Sequence, residues 1–508
     1  MALIHTNLAM ILNSDKERFT RKFKDFSDFD TGNELYHLLP FRFRRIANNR
    51  ELLVNDWGDY LLVDNGVVDK LVNRRLSKVL DAEVYHDLLA NFFISEKPVP
   101  SLIDLISTRY RTKKSFLDSF TSLHIFVISL RCDHSCHYCQ VSRVSADKHL
   151  YDMNEQHIIK GIEMMLMSPA QHLTMEFQGG ESLLAFEKIK FAVQLAKQRA
   201  EDKNKILTFV ICSNLVPLTE EILEFCKEYN ILISTSLDGP SYVHNKNRHR
   251  PGKNSYELAL SGIFRAREVL GEDAVSALLT TSSLSLQYPV EIVDEYFNLG
   301  FKSIFLRPIS PYGFAVKNNT KNYYESEAFV EFYKKALNRI IEYNLNGHFF
   351  REDYATILLK KMVTPFPVGY VDLQSPAGMI SSVIVFNYNG EIYASDESRM
   401  LAEMNDYTFR LGSLDTHEYN DIFYGSQSKA YSEALLNESL PGCSDCAYQP
   451  YCGADPVLHH ATQGDMIGHR PTSVFCHRNM ALFDYLFDLM QDKRMERIFR
   501  NWITGTHA

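Results

Sequence analysis

The residues most able to do chemistry fall between Arg131 and Gln140, in the run RCDHSCHYCQ. Cys132, Cys136 and Cys139 stand there in a C-x3-C-x2-C spacing, directly after an apolar, strand-like run over 122–130. Three thiolates on one tight loop can hold three irons of a cubane cluster and leave the fourth iron open to a chelating ligand. Zinc is the rival occupant. A structural zinc wants four closed ligands, usually from C-x2-C pairs, and His134 and His137 between the cysteines could complete such a set. Packed core thiols do not crowd into a short polar loop, so three unrelated cysteines are a poor reading.

A second set lies near the other end, where Cys443, Cys446 and Cys452 are spaced C-x2-C-x5-C and Cys476 follows. Four ligands suit a closed cluster, and a zinc ribbon fits the same spacing. The two sets take seven of the nine cysteines and leave Cys212 and Cys226 as packed thiols. Cysteines in ligand groups point to metal rather than disulfides, and so to a cytoplasmic iron–sulfur protein. A net charge of −9 argues against nucleic acid as a partner, because its phosphates ask for a basic surface. No apolar run is long enough to span a membrane, and the N-terminus has neither a basic leader nor a small-residue cleavage site.

The elements that must position these residues follow from periodicity. Strand-like runs over 123–130, 173–177, 206–212, 231–237, 276–281 and 303–308 alternate with helix-like runs over 155–167, 183–199, 220–229, 256–270 and 289–299. Repeated βα units imply a parallel sheet with right-handed crossovers. Six units predict a partial (β/α)6 TIM-type barrel, with its chemistry at the C-terminal ends of the strands. Before the barrel, three short strands and two helices describe a winged-helix-like module. Its arginines at 42, 44 and 45 leave DNA as an alternative to peptide docking by strand addition. After a long helix over 324–345, Asn389-Gly390 between two apolar runs predicts a β-hairpin.

The cysteine loop, with Tyr138 before its last cysteine, resembles the radical S-adenosylmethionine (SAM) superfamily signature. Gly179-Gly180-Glu181, one βα unit later, is similar to that superfamily's GGE motif. The glycines would admit a ligand close to the backbone, and Glu181 is left free to accept a hydrogen bond from the SAM ammonium group. Ser236 and Asp238, in SLDGP after the fourth strand, precede Arg248, a bidentate candidate for the SAM carboxylate or else a surface arginine. Ser213, beside Asn214, offers a ribose contact or a helix cap.

The C-terminal cysteines resemble those of SPASM-domain radical SAM enzymes, which modify peptides and proteins. Ser375, Ser395 and Pro456 stand where that pattern has the ligands of one auxiliary cluster, while Cys443, Cys446, Cys452 and Cys476 keep the other. LLPFRFRR, ELLVNDWGDYLLV, FQGGESLL, FNYNGEIYASDESRMLAE and YCGADPVLHHATQGD look like the B-type radical SAM maturase of the His-Xaa-Ser system.

The resemblance implies a SAM-binding 4Fe–4S cluster, one auxiliary 4Fe–4S cluster, and hydrogen abstraction from a peptide or small-protein precursor. It also implies a second radical SAM maturase as a companion and an electron donor such as flavodoxin or ferredoxin. A non-catalytic precursor-binding subunit is the alternative. Asp396, next to the vacated Ser395, is the catalytic acid–base candidate, against a bland role as a turn residue. The expected organisation is an extension over 1–34, a docking module over 35–97 and a connector over 98–121. The barrel over 122–310 comes next, then a helical connector over 311–370 and a SPASM-like domain with C-terminal helices over 371–508.

Overall fold

Apolar strands separated by amphipathic helices give the parallel sheet that the periodicity predicts. In this computed structural model, which describes residues 36–97, 102–139, 147–317 and 324–505, the barrel strands are β1 (Leu123–Ser129), β2 (His172–Gly179), β3 (Ile206–Ser213), β4 (Leu232–Ser236), β5 (Val275–Thr281) and β6 (Leu306–Pro308). Each pairs in parallel with the next. The expected extension over 1–34 lies outside the described residues. β1, LHIFVIS, is buried at every position from His124 onward, as expected for a strand covered on both faces.

The connecting helices are α1 (Glu155–Met165), α2 (Phe186–Glu201), α3 (Glu220–Glu228), α4 (Ser255–Leu270) and α5 (Pro289–Asn298). Their starts are chemically marked. Asn154 caps α1 by accepting from His157 N, Thr219 caps α3 by accepting from Ile222 N, and a proline opens α5. α1 then turns Ile158, Ile162 and Met165 to the sheet.

The run expected as one strand over 303–308 is two. Ser303–Ile304 pairs with Arg351–Glu352 in a separate small sheet, and only Leu306–Pro308 joins β5. The break has a physical cause. Phe305 turns its ring against Tyr354 and Tyr370, and the buried Glu352 carboxylate accepts from Leu306 N at 2.9 Å in place of a ladder carbonyl. Beyond it come α6 (Ser326–Leu345) and α7 (Asp353–Val363).

The hairpin forms as β7 (Val383–Phe386) and β8 (Glu391–Tyr393), with Gly390 at φ 83° in the turn. It was grouped by sequence with residues 371–508, but in space it extends the barrel sheet. β7 runs parallel to β1, so the sheet order is β6-β5-β4-β3-β2-β1-β7-β8-β9, where β9 is Arg410–Ser413. α8 (Asp396–Ala402) leaves the hairpin, and α9 (Pro456–Gln463), α10 (Val474–Leu489) and α11 (Lys493–Thr504) complete the chain. Barrel and C-terminal side chains share one core, from Phe126 and Phe177 through to Phe483 and Trp502.

The N-terminal module is a three-stranded antiparallel sheet (Phe41–Ile46, Arg50–Asn55, Tyr60–Asp64) with helices Val67–Val72 and Ala82–Ala90. It has its own core, including Leu53, Leu71, Tyr85 and Phe93. Of the arginines at 42, 44 and 45, two are spent inside the molecule. Arg44 grips Asp484 through two bonds of 3.0 and 2.8 Å, and Arg42 pairs with Asp56 at 2.6 Å and donates to Ser444 O. That leaves little of the basic face a DNA reading requires.

Candidate active site and metal centres

The cysteine loop leaves the C-terminal end of β1, the side that carries chemistry in this architecture. Arg131 roots it. The guanidinium makes two 2.7 Å bonds to Asp152 and one of 2.6 Å to Leu184 O, and Ser129 Oγ donates to the same carboxylate. Asp152 belongs to no motif, and nothing in the sequence marks it. Ser135 N donates to His249 O at 2.6 Å, tying the far side of the loop to the segment after Arg248.

The glycine pair has a use beyond the expected one. A Cβ on Gly179 would stand 1.9 Å from Ser129 O, and one on Gly180 would stand 2.5 Å from the carbonyl oxygens of Leu130 and Arg131. What comes close is the cysteine loop's own backbone. Gly180 N donates to Ser129 O at 2.8 Å, and Glu181 N donates to Arg131 O at 2.7 Å. Glycine here sets the distance between the two motifs.

Glu181 is likewise corrected. It is 1 % exposed, and its carboxylate accepts from Leu183 N, Ser213 Oγ and Asn214 N at 3.0, 2.7 and 2.7 Å. Burial pushes the carboxyl up to about 7, against the pull of those donors. It is therefore not free. It orients Ser213 and Asn214, and Asn214 Nδ2 in turn donates to Asp133 Oδ1 in the cysteine loop at 2.7 Å.

Asp238 is fully buried. It accepts from the Tyr138 hydroxyl on one oxygen and from Arg248 Nε at 3.2 Å on the other, while the guanidinium lies 5.5 Å from the Tyr138 ring centre. Asp238 thus aims both residues. Arg248 is held from below and lines the site, which the surface-arginine reading does not accommodate.

One cavity of about 230 Å³ gathers the predicted residues. Cys132, Cys136, Cys139, Tyr138, Gly179, Gly180, Ser213, Ser236, Arg248 and Asp396 all line it. Sequence reasoning missed Arg307, Thr280 and Cys212, which line it too. Cys212, expected to be a packed thiol, turns its sulfur to Glu176 Oε1 at 3.5 Å at the cavity wall, while Cys226 is buried as expected. Alternation along β3 carried the signal, because Cys212 and Ser213 end the strand at the rim. Asp396 opens α8, and its Oδ1 accepts from Arg399 Nε and Nη2, both at 3.3 Å.

The donor set fits an open cubane. His134 is buried, with Nε2 on Ser255 Oγ at 2.8 Å and Nδ1 beside Asp133 Oδ1 at 2.9 Å, and His137 Nε2 faces Asn247 Oδ1 at 3.3 Å. The histidines that zinc would recruit already have hydrogen-bond partners, although Cys132, Asp133 and His134 bring ligand atoms within 4.8 Å of one another.

Cys443, Cys446, Cys452 and Cys476 line a second cavity of about 440 Å³. Four sulfurs on one zinc at ~2.3 Å would stand ~3.8 Å apart. Among the described residues no three of these four sulfurs, and not the three loop thiols either, lie within 4.8 Å of one another. Cys476 sits in the first turn of α10, where burial raises its thiol to about 11, and Arg470 Nε donates to Cys443 Sγ at 2.9 Å. The vacated positions hold no ligand. Ser375 Oγ bonds Glu438 and accepts from Asn437 N, Ser395 forms a capping box with Ser398, and Pro456 opens α9.

Residues 126–294 match the profile of the Radical SAM superfamily, and the barrel is a radical SAM domain, an enzyme fold that implies SAM and a 4Fe–4S cluster. The radical SAM cyclopropyl synthase TigE of Paramaledivibacter caminithermalis is 23% identical over 436 residues, covering 82% of this chain and 83% of that protein. A cysteine-type anaerobic sulfatase-maturating enzyme of Clostridium novyi is 21% identical over 343 residues, 65% of this chain and 86% of that one. Among solved structures, native anSMEcpe with bound AdoMet and Kp18Cys peptide gives a TM-score of 0.60 at 18% identity, over 75% of this chain and 99% of that one. That likeness bears on the fold. Among the described residues no helix is long and apolar enough to cross a membrane.

Proposed function

We propose that this chain is a radical SAM enzyme that modifies a ribosomally made peptide or small protein of the His-Xaa-Ser repeat type, acting beside a second radical SAM maturase. The observation that carries the reading is the meeting of Cys132, Cys136 and Cys139 with Ser213, Ser236 and Arg248 around one cavity at the strand ends. Relatives named as a cyclopropyl synthase and as sulfatase-maturating enzymes, and a solved relative with a bound peptide, support a peptide substrate.

When bound, the cluster and SAM supply one-electron cleavage to a 5′-deoxyadenosyl radical, and that chemistry belongs to the cofactors. This chain's residues hold and orient. Arg248, braced by Asp238 and Tyr138, takes the SAM carboxylate as a charge-assisted partner. Ser213 and Asn214, set by Glu181, face the ribose. Asp396 Oδ2 accepts the proton that the substrate loses on oxidation, while Oδ1 stays on Arg399. Cys443, Cys446, Cys452 and Cys476 would hold one auxiliary 4Fe–4S cluster able to take the electron lost with that proton, and a flavodoxin- or ferredoxin-like donor would supply the electron for SAM cleavage. The N-terminal sheet docks the precursor by strand addition.

Anaerobic reconstitution with iron, sulfide, SAM and dithionite, scored for 5′-deoxyadenosine, tests the reading. The wild type should produce it and Cys132→Ala should not. No deoxyadenosine from a fully loaded wild type overturns the enzyme reading in favour of a precursor-binding subunit. Two clusters require iron near ~8 per chain, and iron near ~12 would mean that Ser375, Ser395 and Pro456 do not mark a lost site.

A further inference from the structure

A third cavity, of about 90 Å³, lies on the other side of Arg307 from the cysteine loop. A water needs roughly 15 Å³ by this measure, so the space admits the head of a side chain. Asp372, Glu397 and Asp455 face it, with Arg307, Arg478 and Tyr312. Each carboxylate comes from a segment next to a vacated ligand position, Asp372 by Ser375, Glu397 by Ser395 and Asp455 by Pro456. The segments that the resemblance assigns to a lost cluster therefore still converge, but on acids.

Charge and hydrogen bonding both leave something over. Arg307 reaches Glu397 at 3.6 Å, and Asp455 Oδ1 is partly spent capping Leu458 N at 3.0 Å. Fully ionised, the three carboxylates would exceed the two guanidiniums by one negative charge. Burial and mutual repulsion push Glu397 up to about 8 and Asp455 up to about 7, so the acids hold protons that a cation would displace. Tyr312 adds an independent sign. It is 1 % exposed, it lines the cavity near all three acids, and its hydroxyl makes no hydrogen bond among the described residues. On the cavity wall, that hydroxyl can bond a ligand there. Arg307 also lines the SAM-side cavity, and Glu397 follows Asp396, so a peptide residue in this space would sit one wall from the reacting centre.

We propose that this cavity is a subsite for a protonated side chain of the substrate peptide, gripped by Asp372, Glu397 and Asp455 and by the Tyr312 hydroxyl. The ligand class is a guanidinium, an ammonium or an imidazolium. The proposal rests on the peptide-modifying reading above.

The probe is methylguanidinium, with neutral N-methylurea as its isostere, titrated calorimetrically into the reconstituted full-length chain without dithionite. Methylguanidinium should bind at least tenfold tighter than methylurea. Asp372→Asn should weaken it at least tenfold and Tyr312→Phe about threefold, both with an unchanged melting temperature. If Asp372→Asn does not fold, Tyr312→Phe decides. Equal affinity for the two probes, or indifference to both substitutions, overturns the subsite. Stoichiometric Mn²⁺ binding that is lost in Asp372→Asn overturns it in favour of a metal site. Deoxyadenosine assays on the same preparations separate the two claims. SAM cleavage without probe binding sinks the subsite alone, and probe binding without cleavage sinks the radical reading alone.

Discussion

At the scale of single residues, the site depends on contacts with no slack. Gly179→Ala would drive a methyl group into Ser129 O, at a backbone φ of 153°, with no flexible side chain to yield. A loss above about 4 kcal/mol is expected, in the range of the most damaging single substitutions. Circular dichroism melting and iron content should fall together in this variant. A folded, fully loaded Gly179→Ala chain would show that the two motifs are not spaced by this contact. Asp396→Asn keeps size and helix position but cannot take the proton. Product formation should drop by roughly a hundredfold or more while deoxyadenosine formation stays normal. An unchanged product rate would leave Asp396 only its bond to Arg399.

At the scale of elements, one buried acid joins three of them. Glu352 accepts from Leu306 N at the start of β6, from the Tyr333 hydroxyl on α6 and from Ala355 N in the first turn of α7. It thereby fixes where Arg307 leaves the sheet. Burial pushes its carboxyl up to about 7 from an ordinary 4.5, so the folded state prefers the protonated form. The stability this contributes is present below about pH 4.5 and is lost as pH rises through about 7. The full span is at most about 3 kcal/mol. Glu352→Gln cannot titrate and loses an acceptor, so it should be less stable than wild type in acid. The gap should narrow between about pH 5 and 7.5 in denaturant titrations. A gap that widens with pH would mean that Glu352 is ionised in the fold.

At the scale of the whole molecule, the N-terminal module is built into the end that carries the four C-terminal cysteines. Phe43 and Arg44 line the cavity of the four C-terminal cysteines, and the Tyr451 hydroxyl donates to Gly58 O at 2.9 Å. Tyr60 packs edge-on against Phe487 at 5.0 Å. On the proposed reading, a docking module that also walls the cysteine cavity would couple precursor binding to it. Removing the module to test docking therefore needs iron content as its control. Arg44→Ala breaks the two-bond grip on Asp484, at a cost of about 1–2 kcal/mol. It should speed loss of about half the iron in air, with faster proteolysis near residue 97. Iron retention equal to wild type would make the module a separate appendage.

What the sequence determined by itself was whatever depends on neighbours along the chain. Ligand spacing, the strand and helix periods, the Asn389-Gly390 turn and the six-unit barrel are local patterns, and Cys132 to Cys139 carry their chemistry within one loop. The structure decided what depends on through-space company. Gly179 and Gly180 approach the backbone of the cysteine loop as well as lining the cavity, because β1 and β2 are adjacent and their register shifts at Ser129. Glu181 is spent because β3 brings Ser213 and Asn214 to it. The hairpin joins the barrel because β7 finds the free edge of β1. Cys212, Asp152 and Arg307 stand outside every motif, since their roles arise only when separate strands end at the same rim. Asp372, Glu397 and Asp455 look like ordinary surface acids in a linear reading. Only folding of α8 and α9 over β6 buries them together, and burial is what gives a carboxylate a use.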